Sequence, residues 1–188
     1  IVSEQNKSPD YHLERIVGMV TALMAMADNQ VSSEELNYAL TISSKRQTDA
    51  LGGLTSFTPN VNTAWLNRQM TLSYLNASLA YLKSNDPKYL SILDAKTPSH
   101  FDLDVPESTS AEGHMKATFL LTAKIQESVD AHQGDKAMLY QDIRALGAIW
   151  VNRNPNDPGA IPNELTSLYQ GQIDRIMSLL DYKGSVTP

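Results

Sequence analysis

Residues 61–83 read VNTAWLNRQMTLSYLNASLAYLK. Apolar residues recur at Val61, Trp65, Leu72, Leu75, Leu79 and Leu82, in steps of three and four apart from one longer gap. That spacing lines one face of an α-helix, where a half-buried strand would alternate. Asn60 or Asn62 supplies a cap, Pro59 keeps an earlier helix from running in, and Ser84-Asn85-Asp86-Pro87 ends the pattern. Ala64, Met70, Tyr74, Ala77 and Tyr81 form a second set away from the first stripe. A helix apolar on more than one face is buried among several neighbours. The stretch therefore predicts a central helix, roughly 34 Å long at ~1.5 Å per residue.

Outward from this helix, the chain reads as helix after helix. Asp10 caps a segment running to about Asp28, with Leu13, Ile16, Val17, Val20, Leu23, Met24 and Ala27 as its stripe. Gly18, Ala22 and Ala25 allow a close neighbour, and Met19, Met24 and Met26 read as core filler. Ser32-Ser33-Glu34-Glu35 is a capping box with Ser32 as cap and Glu35 reaching back, flanked by Val31 and Leu36 as a hydrophobic staple. The segment ALMAMADNQVSSEEL, residues 22–36, resembles the helix–acidic turn–helix of tellurite-resistance TerB-like domains. The likeness covers less than a tenth of the chain. Asn29 stands where that family has Gly, there is no second acidic motif, and capping chemistry accounts for these residues, so no family property is carried over. The loop also lacks the later ligands and closing Glu of an EF-hand.

The second helix reaches about Leu51 and stops at Gly52-Gly53. A short helix spans Pro87 to about Ala95. Thr109-Ser110-Ala111-Glu112 opens another that runs to about His132, with Met115, Phe119, Ile125 and Val129 expected inward. Asp135 caps the next, which runs to about Asn152 with Leu139, Ile143, Leu146 and Trp150 inward. The proline-rich NRNPNDPGAIP, 152–162, is a loop. The last helix runs from about Pro162 to Tyr182, with Leu165, Leu168, Ile173, Ile176 and Leu180 inward. The expected fold is all-α: a single domain of about seven helices in an irregular or orthogonal bundle around 61–83. A flexible arm precedes it at 1–9, the domain spans 10–184, and 185–188 form a tail. No repeat recurs at a fixed period.

Composition narrows the function classes. The 188 residues suit one core without staples. Net charge is −6 with 15 Lys and Arg and no basic stripe, so no nucleic-acid footprint is expected. No apolar run is long enough to cross a bilayer. The absence of cysteine removes disulfides, thiolate metal sites and thiol nucleophiles. Asn6-Lys7-Ser8 and Asn76-Ala77-Ser78 match the glycosylation sequon, but the second falls in the central helix and both read as chance. The start at Ile-Val-Ser, together with plentiful Asn, Ser, Thr and Gln, gives the expectation of a processed protein or excised domain placed in the periplasm or outside the cell, otherwise in the cytoplasm.

Chemistry-bearing motifs are few. Gly52-Gly53 has no Lys-Ser/Thr partner, there is no G-x-S-x-G elbow, and His12, His100, His114 and His132 are scattered. Glu112, His114 and Glu127 do not have the Glu-x-x-His spacing of a di-iron bundle. An enzyme is not expected, nor a cofactor. Two candidate sites remain. Arg68 lies one turn from Trp65 and Leu72, and Arg144 flanks the stripe that ends in Trp150. Either arginine snorkels to water, or Trp65, Arg68, Arg144 and Trp150 hold a small polar or anionic ligand. His100, Asp102, Asp104 and Glu107 cluster in TPSHFDLDVPE, 97–107, either as a solvated crossover pinned by Phe101, Leu103 and Val105 or as a site for a hard divalent cation. The resulting expectation is a non-catalytic helical ligand-binding or sensory domain. The alternatives are a protein–protein adaptor or secretion-system scaffold, and a metal-binding domain using the 100–107 loop.

Overall fold

A computed structural model describes residues 9–28, 32, 34–35, 37–38, 111–132, 135–154, 156 and 160–180. The helix expected at 61–83 lies outside the described residues, as do Trp65, Arg68, His100, Asp102, Asp104 and Glu107. What is described is all helical, with no strand among the described residues. Four helices are complete there: α1 Pro9–Ala25, α2 Ala111–Ala131, α3 Lys136–Val151 and α4 Thr166–Leu179, with a 3₁₀ turn at Asn163–Leu165 leading into α4. None of the described helices is long and apolar enough to cross a membrane.

α1 is the middle of this assembly. Every residue from Arg15 to Ala27 is buried, not the expected stripe alone. Ile16, Met19, Leu23, Met24 and Met26 are among the largest fully buried side chains. A helix apolar all round has to be surrounded, and α1 packs against α2, α3 and α4. It begins at Pro9, one residue before the expected Asp10 cap, because proline's fixed φ suits the first helical position. It ends at Ala25, where Ala27 N–H turns to the Met24 carbonyl at 3.2 Å.

The capping box forms as its sequence predicts. Glu35 N–H donates to Ser32 Oγ at 3.1 Å, and Ser32 N–H donates to Glu35 Oε1 at 3.0 Å. Asp135 caps α3, its carboxylate accepting from Met138 N–H at 3.2 Å. The α3 stripe is also as expected, with Leu139, Ile143, Leu146 and Trp150 buried.

Two stripes need correction. On α2, Phe119 is 50% exposed, and the buried face is His114, Ala117, Thr118, Leu121, Thr122, Ile125, Ser128 and Val129. Those positions keep helical spacing, but four of the eight are polar, so apolarity alone selects the wrong neighbour. On α4, Leu168 is 44% exposed, and Tyr169, Gln172, Ile173, Ile176 and Met177 face inward. Here a tyrosine and a glutamine hold the inner face. The 3₁₀ turn delays the α-helix to Thr166, and Leu180 turns extended, so α4 stops short of Tyr182.

α3 and α4 pack closely at Gly147. A Cβ there would sit inside van der Waals contact of Ile173 Cγ1 and 2.8 Å from its Cδ1. The missing side chain sets how near the two helices lie. Arg153, just past α3, donates to the Trp150 carbonyl at 2.9 Å and to the Pro162 carbonyl, tying the start of the loop to its end.

Candidate functional site

Several buried polar groups, among them Glu35, His114 and Gln172, lie near the C-terminal end of α1. Glu35 is the first. Its placement follows from the capping box, which turns the carboxylate back toward Ser32 and into the interior, where it is fully buried. Oε1 accepts from Ser32 N–H, and Oε2 accepts from Tyr169 Oη on α4 at 2.7 Å. Trp150 lies against the Tyr169 ring, with centroids 5.3 Å apart, and Tyr38 meets Trp150 edge-on at 5.0 Å. The Arg153 guanidinium carbon is 5.0 Å from the centre of the Tyr169 ring, within cation–π range. Burial pushes the Glu35 carboxyl above the usual range, opposed by the hydrogen bonds from Ser32 and Tyr169 and reinforced by Asp28. Burial and then Glu35 push the Tyr169 phenol far up. Burial also raises Tyr38, with Arg153 opposing.

One turn along α4, Gln172 begins a second group. The Leu23 carbonyl loses its helical donor when Ala27 N–H bonds Met24 instead, and Gln172 Nε2 donates to it at 3.1 Å. Gln172 Nε2 also lies 3.4 Å from Thr118 Oγ1, and Thr118 Oγ1 donates to the His114 carbonyl at 2.9 Å. Arg175 Nη1 donates to Gln172 Oε1 at 2.9 Å and approaches His114 Nε2 at 3.5 Å. Burial, then Arg175, lowers His114 below the usual imidazole range, against the backbone of Met26, the side chain of Gln172 and Asp28. The lowering favours the neutral ring, and in the tautomer that leaves Nε2 unprotonated this atom accepts from Arg175. Asp28 bears on Glu35, Tyr169 and His114 alike, which makes the two groups one electrostatic neighbourhood.

Within that neighbourhood Glu35, Tyr169 and Gln172 satisfy one another or backbone carbonyls and amides. Arg175 differs. It is half-buried, its bonded partners are the neutral His114 and Gln172, and among the described residues no carboxylate pairs with it. By contrast, Lys116, Lys124, Lys136 and Arg15 each lie within 4.0 Å of a carboxylate.

Of the residues singled out in the sequence, Arg144 and Trp150 are described. Trp150 is 1% exposed and packed between Tyr38 and Tyr169, whereas Arg144 lies on the exposed face of α3, so the two do not share a face. Among the described residues no group of three or more His, Asp or Glu is placed to hold a metal ion. Sequence reasoning missed Arg175, His114 and Gln172. The sequence carries only a partial signal: His114 and Gln172 sit at positions compatible with an inward helical face and Arg175 follows Gln172 at the i, i+3 step, but nothing in it pairs α2 with α4. No family model matches this chain, and neither a curated protein nor a solved structure does so.

Proposed function

We propose that the chain is a non-catalytic α-helical ligand-binding or sensory domain, placed outside the cytoplasm, that takes a small polar or anionic ligand. In this reading the described helices belong to an irregular bundle of about seven, with a helix over 61–83 at its centre. The observation that supports ligand binding is Arg175. Its guanidinium is partly buried, and its Nε and Nη2 carry no hydrogen bond among the described residues, so a ligand anion could dock on that edge and supply a counter-charge. Composition supports the rest: acidic balance, no cysteine, and abundant Asn, Ser, Thr and Gln.

The test is a thermal-shift screen of amino acids, organic acids, nucleotides and divalent ions on the whole chain. A ligand at about 100 times its dissociation constant adds about 2.7 kcal/mol, several degrees for a domain of this size. A stabilising anion supports the reading. A flat screen shifts weight to the adaptor reading. Scattering that shows a monomer binding nothing in pull-downs counts against that second reading.

A further inference from the structure

Resting on the ligand-binding reading, we propose that Arg175 binds a monocarboxylate with an apolar tail along the outer edge of α4. Nη1 is taken by Gln172 Oε1 and faces His114 Nε2. Nε and Nη2 carry no hydrogen bond among the described residues, and together they form the edge of the guanidinium fork that matches two carboxylate oxygens. The local charge selects against a dianion. Arg175 is a single positive charge, its neighbour His114 is neutral, and Asp28 bears on that same histidine as a negative charge. A phosphate would ask for a second cation at the same fork, and among the described residues the groups bonded to Arg175 are His114 and Gln172 alone.

The tail follows from the same helix. Leu168 lies seven residues before Arg175 and Leu179 four after, steps that place all three on one side of α4. Both leucines are exposed, at 44% and 38%. The site therefore presents one cationic fork between two uncovered apolar side chains. A bare small anion fills only the first part of that surface.

The experiment uses the full chain with octanoate below its micellar concentration, acetate and inorganic phosphate as probes, read by thermal shift and calorimetry. Octanoate is expected to bind saturably and more tightly than acetate. Arg175→Gln is expected to weaken it roughly tenfold or more, the scale of a lost charge-assisted hydrogen bond. Arg175→Lys keeps the charge, loses the fork, and is expected to weaken binding as well; it serves as the test where the Gln variant does not fold. Leu179→Asn should weaken octanoate and leave acetate unchanged. Octanoate binding that ignores Arg175 overturns the site while the ligand-binding reading stands. Phosphate binding as tightly as octanoate, and depending on Arg175, overturns the monocarboxylate class alone. If neither these probes nor the broad screen stabilises the protein, the ligand-binding reading fails first and this inference with it.

Discussion

Tyr169 Oη donates a 2.7 Å hydrogen bond to the fully buried Glu35 carboxylate across 134 residues of sequence. The bond closes a chain of contacts that starts at the Ser32 cap and ends in the Trp150 and Tyr38 rings. Tyr169→Phe keeps the ring packing and removes the donor, leaving Glu35 Oε2 buried without it. The expected cost is about 1–3 kcal/mol. Glu35→Ala should cost a similar amount by stranding the tyrosine hydroxyl and removing the cap. Because both changes break one bond, the double variant should lose clearly less than the sum in denaturant unfolding. Additive losses would show that the two residues act separately.

The buried acid and base tilt the pH profile in opposite directions. Glu35 has its folded pKa raised, so the folded state holds a proton that the unfolded chain releases above about 4.5; its contribution is full below that and falls as pH rises through the folded value. His114 has its folded pKa lowered, so its contribution is present above about 6.5, the unfolded value, and falls as pH drops through the folded one. Glu35→Gln should therefore flatten the decline in stability above pH 4.5, and His114→Gln should flatten the loss below pH 6.5. Urea midpoints measured from pH 4 to 8 separate the two. Parallel profiles for wild type and both variants would mean that neither group titrates differently on folding.

Gly147→Ala tests how α3 and α4 meet. Alanine improves helix propensity by about 1 kcal/mol, but its methyl group collides with the stem of Ile173, a β-branched side chain with little freedom to move. Overpacking of about 1–3 kcal/mol should outweigh the gain. Pairing the change with Ile173→Val should recover part of the loss. A more stable single variant would show that the helices separate at little cost.

Phe119 and Ile125 give opposite expectations on one helix. Phe119→Ala removes a half-exposed ring and should cost less than about 1 kcal/mol. Ile125→Ala opens a cavity at a fully buried site and should cost about 2–5 kcal/mol. Equal losses would place Phe119 in the core after all.

What was legible in the sequence was local chemistry. The Ser32–Glu35 box, the Asp135 cap and the α3 stripe are short-range patterns, and all three appear as read. What was not legible was polar burial. Ser128 accepts from Arg15, and Gln172 donates to the Leu23 carbonyl and reaches Thr118, partners that tertiary packing alone brings together, while Thr122 Oγ1 is buried without one. The same reason hid the candidate site: nothing near Arg175 in sequence shows that His114 will face it from α2. The expectations for Trp65, Arg68 and the 100–107 loop lie outside the described residues.

The burial of α1 from Arg15 onward also bears on the order of assembly. Among the described helices its packing partners begin at Ala111, so each of its contacts with α2, α3 and α4 closes a loop of more than 80 residues, whereas α3 and α4 meet across a short connection. Loop closure of that size is slow and entropically opposed, and nearby helices pair first. Among the four described helices, the α3–α4 pair is expected to form first and α1, with its continuous buried run from Arg15 to Ala27, to dock last. Until it does, the C-terminal helices expose the slot that α1 will fill, and that interval is when this chain is most prone to aggregate.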